Sequence, residues 1–131
     1  MGDLLDKASA FLSTMRDRHM AKQVVYRRGT STVDLPAMIG KTTFEIANQF
    51  GVELIESRDF LIAAFALVID NNATLPADGD RIEEIIGGVV YIYEVSAPAG
   101  LAMWAWSDPY RQTVRIHTKK IEETATPAGS Q

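Results

Sequence analysis

Few side chains in this sequence are equipped for chemistry, and those few are scattered. There are two histidines, His19 and His117, and no cysteine. A zinc site would need both histidines plus carboxylates, because thiolate ligands are missing. The acid-rich stretch DNNATLPADGDRIEE brings Asp70, Asp78, Asp80, Glu83 and Glu84 close together, which raises calcium. An EF-hand loop needs D-x-[DN]-x-[DN]-G with a glutamate at its end. Asp70 and Asn72 fit that pattern, but Thr74 stands at the third position and Leu75 replaces the glycine. A solvated turn is the better reading, and no metal or cofactor is expected.

Nucleophilic catalysis also lacks its parts. There is no G-x-S-x-G, no cysteine, and no serine in a strand–helix turn beside a histidine. The carboxylate pairs Glu53/Glu56, Glu83/Glu84 and Glu122/Glu123 read as solvent-facing, and IIGGVV lacks the lysine and following helix of a phosphate loop. No enzymatic activity is expected. PADGD, from Pro76 to Asp80, reads instead as a rigid turn in which Gly79 supplies a left-handed step and Asp78 or Asp80 accepts backbone N–H bonds.

The densest functional-looking stretch is WAWSDPYRQTVRIHTK, Trp104 to Lys119. Three chemistries suit it. Trp104 and Trp106 are two apart and face one way in extended chain, so they could stack on single-stranded bases while Arg111, Arg115 and Lys119 track phosphates. The same pair could close the end of a barrel. Trp, Tyr and Arg also dominate protein interfaces, which makes Trp104, Trp106, Tyr110, Arg111 and Arg115 candidate interface residues. The net charge of −4, from 17 acidic and 13 basic residues, argues against a protein whose main task is gripping duplex DNA. It leaves open a small single-strand-binding barrel as an alternative.

The elements that position these groups follow from periodicity. A length of 131 residues, with 47% apolar and 23% charged residues, suits one soluble domain. The start has acids at Asp3 and Asp6 where a signal peptide would carry basic residues, and the longest apolar run, Phe60 to Ile69, is too short to span a bilayer. Residues 3–21 carry a helical stripe of Leu4, Leu5, Ala8, Leu12 and Met15, with Asp3 as N-cap and Arg16, Arg18 and Lys22 near its end. Leu5, Leu12 and Met15 are a second candidate contact. The stripe bounds an N-terminal helix over residues 1–22, ahead of a β domain over 23–121 and a flexible tail over 122–131.

Within the β domain the apolar period is two. KQVVYRRG is a strand ending in a turn. STVDLPAMIGKTTFEIANQFG reads as one or two strands interrupted at Pro36 and Gly40, with a helix as the alternative over TTFEIANQFG. Val52–Glu56 and Asp59–Ala63 read as strands, and Ala64–Ile69 as their continuation or a short helical turn. DRIEEIIGGVVYIYEV is a hairpin about Gly87-Gly88. SAPAGLAMWAWSDPY is a loop. RQTVRIHTKKI is a last strand with Val114, Ile116 and Thr118 on one side and Arg115, His117 and Lys119 on the other, left for a neighbour or for water. The fold class expected is mainly β, a small antiparallel β-barrel or sandwich with an N-terminal α-helix.

The succession TTFEI…GVELIESRDFLIAA…LPADGDRI…YIYEV…WSDPYRQTVRIHTKKI, across residues 23–121, resembles the head–tail joining or head-completion proteins of tailed phages, also called stoppers or head-closure proteins. That resemblance implies a structural virion protein at the head–tail junction, assembled in the bacterial cytoplasm. It implies a homo-oligomeric ring of about six or twelve copies, with a portal or adaptor protein on the head side and a tail terminator or tail tube on the other. Genomic DNA would pass through the lumen without sequence-specific binding, no membrane would be involved, and an acidic surface would repel the sliding backbone. A tail-terminator or tail-completion ring is the nearest alternative.

Overall fold

The computed structural model describes residues 22–125. The helix expected over residues 3–21 lies outside them. Nine strands occur in order: β1 (Lys22–Arg28), β2 (Ser31–Asn48), β3 (Gly51–Ala63), β4 (Val68–Ile69), β5 (Asn72–Ala73), β6 (Arg81–Ile86), β7 (Val89–Val95), β8 (Trp104–Trp106) and β9 (Thr113–Ala125). No α-helix occurs among the described residues, and every ladder is antiparallel. The mainly β class expected from periodicity holds.

Strand neighbours run β3-β2-β1-β6-β7-β9, and β9 then pairs back onto β3. The pairings therefore form a closed circuit, with β8 added on β9. Inside it the period-two pattern does its work. Val24 and Tyr26 of β1, Leu35 and Ala37 of β2, Phe60 and Ile62 of β3, Tyr93 and Val95 of β7, and Val114 and Ile116 of β9 form one buried cluster with Ile82 of β6. Within each strand these residues stand two apart, because alternate side chains share a face. Each fully buried large aliphatic or aromatic side chain contributes about 1.5–3 kcal/mol. A 3-10 turn at Ala64–Ala66 follows β3 and delivers Leu67 and Ile69 to the core.

The structure settles or changes several local readings, and the stretch expected as a loop over residues 96–110 contains strand β8. β2 is one continuous strand rather than two, and the helix alternative over TTFEIANQFG is excluded by its ladder to β3 from Met38↔Leu61 to Asn48↔Gly51. Pro36 is tolerated because it stands opposite Gln23 of β1, ahead of Met38, so only one edge is laddered there. Gly40 is tolerated because the guanidinium of Arg115 lies over it, where a Cβ would stand 3.3 Å from Nη1. At the other end of the chain, β9 continues through residues 122–125, expected as tail, because these pair with Val89–Ile92 of β7. The hairpin at Gly87-Gly88 forms as expected, with φ of 57° and 82°.

Candidate interaction surface

The tryptophan pair sits on β8, where Trp104 pairs with Ile116 and Trp106 with Val114. Cross-strand partners share a face, so both indoles lie on the core side. There they are half-buried against the core cluster and meet edge to face, with ring centroids 5.4 Å apart. The turn that follows is built by Asp108, whose carboxylate accepts N–H bonds from Gln112 at 2.9 Å, Thr113 at 2.8 Å and Tyr110 at 3.2 Å. It presents Tyr110, 77% exposed, and the exposed Arg111, which holds a positive φ of 57°. Leu5, Leu12 and Met15 lie outside the described residues.

Arg115 and His117 are not left for water. Both turn to Asp59 of β3, which is fully buried although it lies on the outward face of its strand. Asp59 accepts hydrogen bonds from Ser57 Oγ at 2.6 Å, Thr42 Oγ1 at 2.5 Å, Arg115 Nη1 at 2.6 Å and His117 Nδ1 at 2.9 Å. Phe44 packs edge-on against the His117 ring at 5.1 Å. Serine, histidine and aspartate thus meet, but not as a nucleophilic relay. Ser57 and His117 point at the same carboxylate oxygen, Asp59 Oδ1, through Ser57 Oγ and His117 Nδ1. A relay needs the serine on the imidazole nitrogen remote from the acid. The cluster is a clamp joining β2, β3 and β9.

Two further buried carboxylates occupy core positions. Asp80 accepts from Tyr26 O–H, from Arg28 Nε at 3.0 Å and Nη2 at 2.7 Å, and from the Ala77 N–H at 3.0 Å. The backbone capping expected of the PADGD turn is therefore present, together with an ion pair that composition did not announce. Glu84, next inward after Ile82 on β6, is gripped by Arg58 through Nε and Nη2 and by Lys22 Nζ at 2.9 Å. Arg58 also stands 5.3 Å from the Tyr93 ring centroid. Among the described residues no group of three or more His, Asp or Glu is arranged to hold a metal ion.

Burial alone would raise the carboxyls of Asp59 and Asp80. For Asp59 the bonds from Ser57, Thr42, His117 and Arg115 outweigh it, and for Asp80 those from Arg28, Tyr26 and the Ala77 N–H. Both are held below the usual range. A carboxyl depressed in the folded state stabilises the protein above its unfolded value of about 3.9 and loses that contribution as pH falls through the folded value. Urea unfolding is expected to show little effect of these groups between neutral pH and about pH 5, and a steep loss below about pH 4. Asp80→Asn is expected to flatten that acid limb, and an unchanged limb would refute the assignment.

The surface that sequence reading missed lies at the opposite end from β8. The β3–β9 ladder that closes the circuit reaches only to the Arg58↔Thr118 pair, while β2 and β3 stay laddered to each other out to Asn48↔Gly51. Beyond the body they form a two-stranded arm. Its outward positions Phe44, Ile46 and Ile55 are half-buried, but Phe50 at the tip is 89% exposed, Val52 65% and Leu54 64%. Glu45, Glu53 and Glu56 make the arm acidic. In the fork where β3 leaves β9, Ile55, Ser57, Pro98 and Lys119 line a cavity of about 260 Å³. The signal was the matched alternation in TTFEIA and GVELIE about an Asn-Gln-Phe-Gly turn.

The described residues combine a buried apolar core with an exposed apolar arm. The model of one protein family, the phage head–tail joining proteins, matches residues 2–125, which is nearly the whole chain and includes both the arm and the tryptophan segment. No curated protein and no solved structure matches the chain significantly. On the strength of that family match, the chain belongs to the phage head–tail joining proteins, structural components of the virion at the head–tail interface.

Proposed function

We propose that the chain acts as a connector of the stopper or head-completion kind, a small antiparallel barrel that assembles into a homo-oligomeric ring between the portal or its adaptor and the tail and helps to retain packaged DNA. The observation that carries this reading is the projecting arm. Its tip exposes Phe50, and past the body its two strands have no third ladder partner among the described residues. An open β edge with an apolar tip is a surface built to be covered, and ring closure covers such edges on every subunit at once. The exposed Tyr110 and Arg111 on the Asp108 turn offer a second contact at the other end of the body. Trp104 and Trp106 act in this reading as the lid over the core, while Arg115 braces the arm root through Asp59.

The single-strand-binding alternative is disfavoured by the same geometry. Its stacking platform would be the indoles, which lie on the core side and against each other, and Arg115, one of its three phosphate contacts with the exposed Arg111 and Lys119, is committed to Asp59. The net charge of −4 suits a lumen past which DNA slides.

Electron microscopy of particles from a phage deleted for this gene tests the function. Filled heads without tails are expected, with tailed particles restored by the wild-type protein and reduced at least tenfold with Phe50→Asp. Normal numbers of tailed, infectious particles from the deletion would overturn the reading.

A further inference from the structure

The edge of β2 that faces β1 is covered only in part. β1 ladders to it from Ser31 to Ala37, and β3 ladders to the opposite edge from Met38 to Asn48. From Met38 to Asn48 the edge on the β1 side therefore has no ladder partner among the described residues. Proteins blunt such edges with proline, bulges, short length or charged residues, lysine above all. This stretch is long, runs in unbroken register with β3, contains no proline and has one lysine, Lys41. A two-stranded ribbon gains stability from further strands, and a long open edge is a template for another strand of suitable sequence.

The edge is complementary to itself. When it pairs antiparallel with the same edge of a second copy, opposite residues must share a face, so the two-fold axis falls at one residue. With the axis at Thr43, Lys41 stands opposite Glu45 of the second copy and Glu45 opposite its Lys41. Thr42 then faces Phe44, Gly40 faces Ile46, and Ile39 faces Ala47. Neighbouring registers lose this match. An axis at Thr42 sets Ile39 against Glu45, and an axis at Phe44 sets Lys41 against Ala47. Opposite charges directly across a ladder stabilise it. Within its own hairpin neither residue has such a partner, since Lys41 stands opposite Arg58 and Glu45 opposite Leu54. Both are exposed, and the contact of Lys41 with Glu56 is a long surface pair at 3.6 Å, which holds it weakly.

We propose that two free copies of the chain pair through the Met38–Asn48 edge of β2, antiparallel about Thr43, so that two arms make one four-stranded sheet in the order β3-β2-β2-β3. The contact is isologous and closes on two copies. In the ring proposed above the arm edge goes to a different neighbour, so the pair must part before a subunit is incorporated, which holds free copies back from assembling on their own. That consequence rests on the ring reading. The pair itself does not, so its test is independent of the virion experiment.

The absence of cysteine from the sequence makes single-cysteine variants clean probes. In this register the two Thr43 residues are directly opposite, and opposite residues of an antiparallel pair have Cα atoms about 4.5–5.5 Å apart, within disulfide reach. Purified full-length Thr43→Cys, mildly oxidised, is expected to give at least tenfold more cross-linked dimer than Leu54→Cys, an exposed site on the same face of the arm but on β3. A yield no higher than that of Leu54→Cys overturns the proposal. Sedimentation velocity on the cysteine-free chain provides a second measurement. The unaltered protein is expected to form a concentration-dependent dimer, Lys41→Glu to dimerise at least tenfold more weakly, and Lys41→Glu with Glu45→Lys to recover. A protein that stays monomeric, a Lys41→Glu variant that dimerises as before, or a double variant that does not recover overturns it. So does open-ended growth, which would mark pairing of β2 with the β3 edge of the next copy.

Discussion

Asp59→Ala is expected to lower stability by about 3–5 kcal/mol, because it leaves buried donors facing an empty site. Thr42, Ser57, His117 and Arg115 all spend their hydrogen bonds on this one carboxylate. The same pairing accompanies the close approach of the Arg115 guanidinium to Gly40. Removing one partner from a buried pair costs more than the pair contributes, since the remaining charge stays desolvated. In urea the midpoint is expected to fall by more than about 1 M. Asp59→Asn keeps a carbonyl acceptor but loses the charge opposite Arg115, and is expected to cost about 1–3 kcal/mol. A loss below about 0.5 kcal/mol for the alanine variant would refute the clamp, because that is the size of an ordinary surface change.

Asp80→Ala is the second large effect, and it acts on a different part of the body. Asp80 receives Tyr26 from inside the core, Arg28 from the end of β1 and the Ala77 N–H from its own turn. Arg28 in turn binds Thr74 Oγ1 and the Leu75 carbonyl, each at 2.7 Å, so the aspartate anchors the whole 74–80 segment to β1. Burial and the Asp80 hydrogen bond push the Tyr26 hydroxyl well above its usual range, so it stays a neutral donor at any physiological pH. Without the carboxylate that donor is orphaned in the core and Arg28 loses a two-pronged partner. A loss of about 3–5 kcal/mol is expected, measured by urea unfolding, with faster hydrogen exchange over residues 74–80. Because native stability is typically about 5–15 kcal/mol, either alanine variant brings the fold near its limit. Full stability in Asp80→Ala would show that the anchor is dispensable.

The two sites differ in how legible they were. Asp80 sits in PADGD, whose glycine and proline announce a turn, and a turn aspartate that caps backbone N–H groups follows from local chemistry alone. Nothing local announces Asp59. Apart from Ser57, its partners stand 17, 56 and 58 residues away on β2 and β9, so the clamp exists only once the strand circuit brings three elements together. For the same reason alternation, which places Arg115 and His117 on the face opposite Val114 and Ile116, leaves them for a neighbour or for water. Alternation identifies the outward face but not what a neighbouring strand lays over it.

What the amino-acid sequence determined by itself is the part governed by short-range physics: the period-two strands, the Gly87-Gly88 hairpin, the turn at Asp80 and the inward Val114 and Ile116. Through family resemblance it also determined membership among the head–tail joining proteins. Tertiary structure alone decided that β2 runs unbroken past Pro36 and Gly40, since whether a proline or glycine breaks a strand depends on which edge is laddered and what lies above it. It decided that the indoles face the core, because the pairing of β8 with β9 sets their side. It also decided that Phe50, Val52 and Leu54 stand exposed on an arm, since the same alternation serves a core strand or a ribbon reaching beyond it. Side-chain period is a local property, whereas register, edge and overlap belong to pairs of strands far apart in the chain.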